Sequence, residues 1–514
     1  MAFMKLNIAS GVLAVLYVLS HPMPLTAQTS SDTVDVNGRT YGLSSALYGV
    51  GKEIYDNSPA ANLYRQDLSF TEISASYSLR DESAALIVQE GDRFDAGNFN
   101  ADSYIRLNDK SSAFANVEYV NGMKRNVLWN SSSDFLLLYP YVTADTVGGN
   151  LSHEKYMFSG GYSRKDGRFS YGVQASYRAL HEYRRVDPRP RNITSDFNAS
   201  ISAGYSAGGS LVYVTVAGRI YRQISDVGFY NPTGANTSEI PMTGLGTYFE
   251  RFTGTGAYLG TYHKGGGYSF RAGMVPKARR GWMAEVGFRS FTVRRLLSNQ
   301  NDVPITSLNI MDLSGYVGYR GDKWGIAFSG KHERRTGTEM IIDNGASNIY
   351  NVLGASLMYL NGIWDTAVSA FFDFEMEKTL WTLTPVVGWL SSSAGYLFPE
   401  RSMTYSRIYV RLPFMAVFGK SPWLLAVRAG ASVAVNIGGG LDISSQEEEE
   451  AMSEMIRYGF SNLSASSSGG DCSLRAQRSL NRTMAVYMEG GCRYAYFTSG
   501  INMWMAEMKL GICF

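Results

Sequence analysis

Beyond residue 27 the chain has no run of 18 apolar side chains. A transmembrane helix is thereby excluded after export, and the protein either floats free or crosses a membrane as strands. Proline is scarce, 14 in 514 residues, and helix-forming runs are few, which does not suit an α/β enzyme. The five histidines, His21, His153, His181, His263 and His332, never fall at metal-ligand spacing, so no metal or other cofactor is expected. The net charge is only +2, which predicts no nucleic-acid partner. Cysteine is limited to Cys472, Cys492 and Cys513. On the strand register read here, Cys492 faces outward with Val486 and Met488 while Cys513 faces inward. Opposite faces make that bridge geometrically poor, and Cys472 falls in a loop with no partner to assign.

What the chain has is glycine, 54 residues, and tyrosine, 34 against 25 phenylalanines. These suit long strands and aromatic girdles. From Leu68 onward, apolar and polar residues alternate with the period of two that places them on opposite faces of a strand. In 168–183 the odd positions are Phe169, Tyr171, Val173, Ala175, Tyr177, Ala179, His181 and Tyr183. The even positions include Arg168, Ser170, Gln174, Ser176, Arg178 and Glu182. In 364–376, Trp364, Val368, Ala370, Phe372, Phe374 and Met376 oppose Asp365, Ser369, Asp373 and Glu375. In 502–514, Trp504, Ala506, Met508, Leu510, Ile512 and Phe514 oppose a face carrying Glu507 and Lys509. A transmembrane strand turns one such face to lipid and the other to a lumen, with aromatics at the interfaces.

The fold expected is all-β, a transmembrane antiparallel β-barrel of about 18 strands, with 16 to 20 open. Short periplasmic turns and longer extracellular loops are its signature. Short turns are read at 165–167, 208–209, 265–266, 320–322 and 361–362, and long loops at 184–195, 223–250, 296–307, 335–349, 391–402 and 438–481. This assignment breaks the alternation of short and long connections between 276 and 350. Weaker strands are read at 84–90, 103–108, 113–121 and 135–143. A β-helix would show a short fixed repeat, and none is present. Residues 1–27 have the form of a secretory signal peptide: Lys5, a mostly apolar Leu6 to Leu19, the breaker Pro22 and small Ala27. No cysteine near that cut marks a lipoprotein. Residues 28–66 lack periodicity and form a periplasmic lead or a small lumen insert, and 67–514 form the barrel.

After the strand 168–183 the chain reads HEYRRVDPRPRN from His181 to Asn192. With the PLTAQ signal end and the terminal Phe514, it resembles a Bacteroidota-type outer membrane β-barrel family of no assigned function. That resemblance implies the fold and the outer membrane of a Gram-negative bacterium. It implies no catalytic or ligand residues. The last strand also resembles the closing strand of bacterial outer membrane barrels, in which a terminal Phe is part of the signal read by the barrel-assembly machinery, a role this places on Phe514.

Candidate sites follow from charge on the lumen and rim. Arg184, Arg185, Arg189 and Arg191 form a basic cluster that attracts anions as a rim or inward loop, or else pairs with lipid phosphates and nearby carboxylates. Asp365, Asp373 and Glu375 share an inward face, where carboxylates set cation preference or simply supply a polar wall. Glu447 to Glu450 is an acidic run in the longest loop, best read as solvated. The sequence Gly204 to Gly208 fits G-x-S-x-G, but a strand follows where the nucleophile elbow needs a helix. No enzyme is therefore expected. The leading expectation is a pore or transporter for small solutes. The alternative is a non-conducting barrel that docks a partner outer membrane protein or surface lipoprotein. Outer membrane lipid and lipopolysaccharide are partners in either case.

Overall fold

The computed structural model describes residues 34–65, 68–230, 239–249, 261–297, 302–343, 350–377, 379–420, 422–443 and 450–514. The signal peptide read over 1–27, and Glu447–Glu449 of the acidic run, lie outside the described residues.

Eighteen strands form one closed antiparallel barrel. In order they are β1 (Phe70–Glu82), β2 (Arg93–Asn108), β3 (Ser111–Val127), β4 (Gly149–Asp166), β5 (Phe169–Tyr183) and β6 (Arg189–Ala207). Then come β7 (Ser210–Gly228), β8 (Thr261–Pro276), β9 (Gly281–Leu297), β10 (Val303–Arg320), β11 (Trp324–Ile342) and β12 (Val352–Met376). The last are β13 (Thr379–Leu383 continued by Val386–Tyr396), β14 (Arg401–Lys420), β15 (Trp423–Asp442), β16 (Ser467–Ser479), β17 (Ala485–Phe497) and β18 (Asn502–Cys513). Each strand pairs with its neighbours in sequence, and β18 pairs with β1 from Cys513 opposite Glu72 to Met503 opposite Glu82. Phe514 extends that seam, its N–H donating to the Thr71 carbonyl and its carbonyl accepting from Thr71. Pro385, which has no N–H to give a ladder, divides β13.

Connections at one end span two to five residues and those at the other four to 32, counted between strand limits. The alternation holds through 276–350 and fails only at the last pair, where 480–484 is one residue longer than 498–501. Closure leaves the barrel sheet without an edge. The outward face carries exposed Phe169, Val173, Ile201, Val214, Ile220, Phe328, Val368, Val433 and Leu510. So continuous an apolar exterior is stable against hydrocarbon rather than water.

Two expected hairpins are strand interior instead. Gly265-Gly266 lies within β8, and Asn361-Gly362 within β12. Gly265 is there because a Cβ would sit 2.8 Å from the Phe291 ring that crosses it. The weak strands 84–90 and 135–143 are connections, holding a 3₁₀ turn at Val88–Glu90 and a short helix at Phe135–Leu138. The supposed loop 438–481 contains a helix and all of β16.

That last correction relocates Cys472. It stands directly opposite Cys492 in the β16–β17 register, on the outward face, with the sulfurs 3.3 Å apart. Cys513 is buried on the inner side. Mild oxidation of the folded protein with a diazene oxidant is therefore expected to leave one alkylatable thiol per unfolded chain by mass spectrometry. A count of three would show that the Cys472 and Cys492 thiols do not meet.

Candidate functional site: the lumen and its two inserts

Both ends of the lumen are narrowed by the chain itself. At the short-turn end, residues 34–65 run round the inner wall as a belt of α1 (Val36–Leu43), a 3₁₀ turn (Ala46–Gly49), α2 (Lys52–Asn57) and α3 (Pro59–Asn62). Asp35 starts α1 by accepting from the Gly38 N–H at 2.8 Å, an N-cap. The belt begins against the turns after β14 and β16, where Asn37 donates to the Pro422 carbonyl and the Val36 N–H to that of Arg482. It then meets β12, where Asp373 accepts from the Ser45 hydroxyl and the Ala46 N–H. Next is β10, whose Tyr316 hydroxyl accepts from Gly51 at 2.7 Å. Gly51 has φ +70, and Met283 of β9 fills the space a Cβ would need. Ser58 bonds Thr215 of β7, the Pro59 carbonyl accepts from Ser163 of β4, and the Asn62 carbonyl from Tyr104 of β2. The belt thus passes the strands in reverse order before entering β1. A cavity of about 650 Å³ remains beside it. Its lining includes Arg65, Arg106, Lys165, Lys277, Arg279 and Arg320 against Asp109, Asp322 and Asp373.

At the long-loop end, three connections fold inward as a cap. They supply α4 (Phe135–Leu138), α5 (Glu450–Leu463) and a small sheet of Thr143–Asp145, Glu239–Gly244 and Thr247–Tyr248. Phe135, Leu138, Tyr141, Val142, Ile240, Met242, Met452 and Met455 pack into one apolar cluster on the wall residues Tyr221, Phe291, Val293, Leu308 and Ile310. Wall arginines hold α4 at both ends. Arg178 gives Asp134 two bonds of 2.8 and 2.7 Å, and Arg335 donates to the Leu136 and Tyr139 carbonyls. Deeper in the cap, Asp145 pairs with buried Arg184 at 2.8 Å and stands opposite Glu239. Burial pushes the Glu239 carboxyl up to about 8, against the pull of Arg295.

Between belt and cap lies a chamber of about 330 Å³, floored by Asn57 and lined by Gln174, Asn198, Ser200, Thr215 and the arginines 178, 219, 271 and 289. These arginines begin a ladder of charge across seven adjacent strands. Arg178 and Arg219 share Asp196, Arg271 pairs with Glu285 at 3.0 Å, and Arg289 with Asp312. On β11, Lys331 and Arg335 bracket Glu333 at 2.9 and 2.7 Å. Arg219 also lies over the Phe291 ring, 4.4 Å from its centroid. Fixed charges of both signs on a polar wall suit a small hydrated solute.

The sequence-derived candidates are scattered by this geometry. Arg184 is buried in the cap, and Arg189 pairs with Asp187 beneath the Tyr230 ring. Arg185 and Arg191 are exposed. The four are therefore not one anion-attracting rim, because two are spent on structure. Asp373 anchors the belt, Glu375 accepts from the belt's Tyr41 hydroxyl, and Asp365 accepts from Tyr409. The three carboxylates share the inward face of β12, but two are occupied by the insert rather than set free in a pore. The arginines of the chamber were not singled out by sequence. The available signal was charge at inward positions of strongly alternating strands, as at Arg178.

A family model described as a family of unknown function, DUF6850, matches residues 59–514. A sequence search of curated proteins gives no match. Among solved structures, the chain is similar to BauA, the ferric preacinetobactin receptor of Acinetobacter baumannii, at 8% identity and TM-score 0.38, covering 87% of this chain and 80% of that one. It is similar to the copper transporter OprC at 9% and 0.37, covering 87% and 81%. Likeness at this level decides neither ligand nor mechanism, and the barrel stands on its own strand register.

Proposed function

This chain belongs to the family of unknown function DUF6850, and we propose that it is a gated outer membrane pore or transporter for small polar solutes. The observation that carries this reading is the charge-lined chamber between two inserts that are held to the wall by apolar clusters together with polar contacts and ion pairs. The basic lining beside the belt favours solutes with negative charge. The long-loop end faces outside the cell and the short-turn end the periplasm, as short turns suit the side from which strands insert. We assign it no catalytic role. Phe514, continuing the seam with β1, serves as the assembly signal for the barrel-assembly machinery. The HEYRRVDPRPRN stretch and the signal end support a source among the Bacteroidota.

Refolded protein in planar bilayers under a potassium chloride gradient tests this. Infrequent openings with a reversal potential on the anion side are expected. Silence under all voltages would favour a second reading, a non-conducting barrel that docks a partner protein, to which the apolar cap core lends support.

A further inference from the structure

On the outward face near the long-loop end, Arg222 of β7, Lys264 of β8 and Arg294 of β9 are all exposed. The register sets them side by side: Lys264 stands opposite Arg222 on one flank and opposite Arg294 on the other. Like charges directly opposed across strands destabilise a sheet unless something neutralises them. Among the described residues no ion pair involves any of the three. The nearest outward acid on β7, Asp226, stands opposite Arg191 instead. The Tyr262 ring lies under Arg222, 5.6 Å from its guanidinium carbon.

The height of this row is fixed by the aromatics. Trp282 of β9 clusters with Tyr319 and Trp324 at the short-turn end, with ring centroids 5.2 and 5.4 Å apart. Between Trp282 and Arg294 the outward positions are Ala284, Val286, Phe288, Ser290 and Thr292, with no charge among them. Twelve residues at about 3.4 Å and a tilt near 40° span about 31 Å, roughly one hydrocarbon thickness. The three cations therefore lie where the headgroups of the far leaflet begin. Across three strands about 4.8 Å apart the row is about 10 Å wide, wider than one phosphate.

We propose that Arg222, Lys264 and Arg294 bind a lipid headgroup bearing two phosphates. Each phosphate takes charge-assisted bonds from adjacent cations, and the bound lipid removes the repulsion built into the sheet. Native mass spectrometry of the detergent-purified full chain tests this, with bisphosphorylated lipid A, its dephosphorylated form and inorganic phosphate as probes. Wild type should hold the bisphosphorylated lipid on the order of tenfold more tightly than the variant Arg222→Gln/Lys264→Gln/Arg294→Gln. Arg334→Gln, an exposed outward cation off the row, should retain wild-type binding. Migration before and after boiling shows whether each variant is folded. If the triple variant is not folded, Lys264→Gln alone, at the centre of the row, should show the loss. Equal binding by wild type and a folded row variant, or equal binding of the dephosphorylated lipid, would overturn the site. Displacement of the lipid by millimolar inorganic phosphate would overturn the lipid as its ligand.

Discussion

Arg178→Ala should raise the open probability of the barrel by roughly thirtyfold. The guanidinium gives the Asp134 carboxylate two bonds at the start of α4, and among the described residues only the Tyr221 hydroxyl, at 2.9 Å, would remain for that carboxylate. Both side chains are mostly shielded, 21% and 14% exposed. Loss of charge-assisted bonds in such a place costs about 2 kcal/mol. A cap that opens as a unit would shift its equilibrium by that amount, and 1.4 kcal/mol is about tenfold. The control is Arg271→Ala. It removes an arginine from the same chamber whose partner, Glu285, belongs to the wall and not to the cap. Single-channel recording of both variants decides the matter. Equal gating in the two would mean that Asp134 does not hold the cap shut.

Val368→Arg should abolish assembly where Ser369→Arg is tolerated. Both sit near the middle of β12, but Val368 is exposed on the outward face and Ser369 faces inward. Arginine facing hydrocarbon at mid-depth costs about 2–4 kcal/mol, while a lumen position remains in contact with water. Phe372 and Asp373, four residues on, divide between the faces as their alternation predicts. Phe372 is nevertheless a poorer probe, since it stands opposite Trp324 at the short-turn girdle. There the penalty falls toward about 0–1 kcal/mol. Folded yield, read as the fraction migrating faster before boiling, should fall for Val368→Arg alone. Loss of both variants, or of neither, would contradict the facing of β12.

The barrel was legible because each strand repeats its instruction many times. From Phe169 to Tyr183 every second residue is apolar or aromatic and every one of them faces outward or toward the interface, so no single substitution can hide the period. The pattern misleads where a single residue has to decide. Gly265-Gly266 and Asn361-Gly362 have turn composition, yet the glycine at 265 answers to the Phe291 ring of the neighbouring strand β9, a contact no local pattern encodes. The chamber was illegible for a related reason. Asp134, Arg178 and Asp196 come from a loop and two strands, and the loop residue is brought in by the apolar packing of Phe135 and Leu138. Asp373 and Glu375 were placed on the correct face, but a carboxylate bound to an insert and one facing open water have the same local sequence. Nothing in residues 36–62, read alone, announces that their partners lie hundreds of positions away.

Those distances impose an order of events. Gln477 bonds Asn37 and Thr40 at 3.0 and 2.9 Å, across separations of 440 and 437 residues. Val36 is buried with Ala485, Tyr487 and Cys513. The first turn of the belt therefore has no seat until β16, β17 and β18 are in place, and no partial barrel offers one. Loop closure over such spans is repaid only when the wall already exists to receive the segment. The part of the chain that leaves the ribosome early is in this way the part that settles late. Until then the short-turn mouth stays wide, and its narrowing marks a barrel that has finished closing.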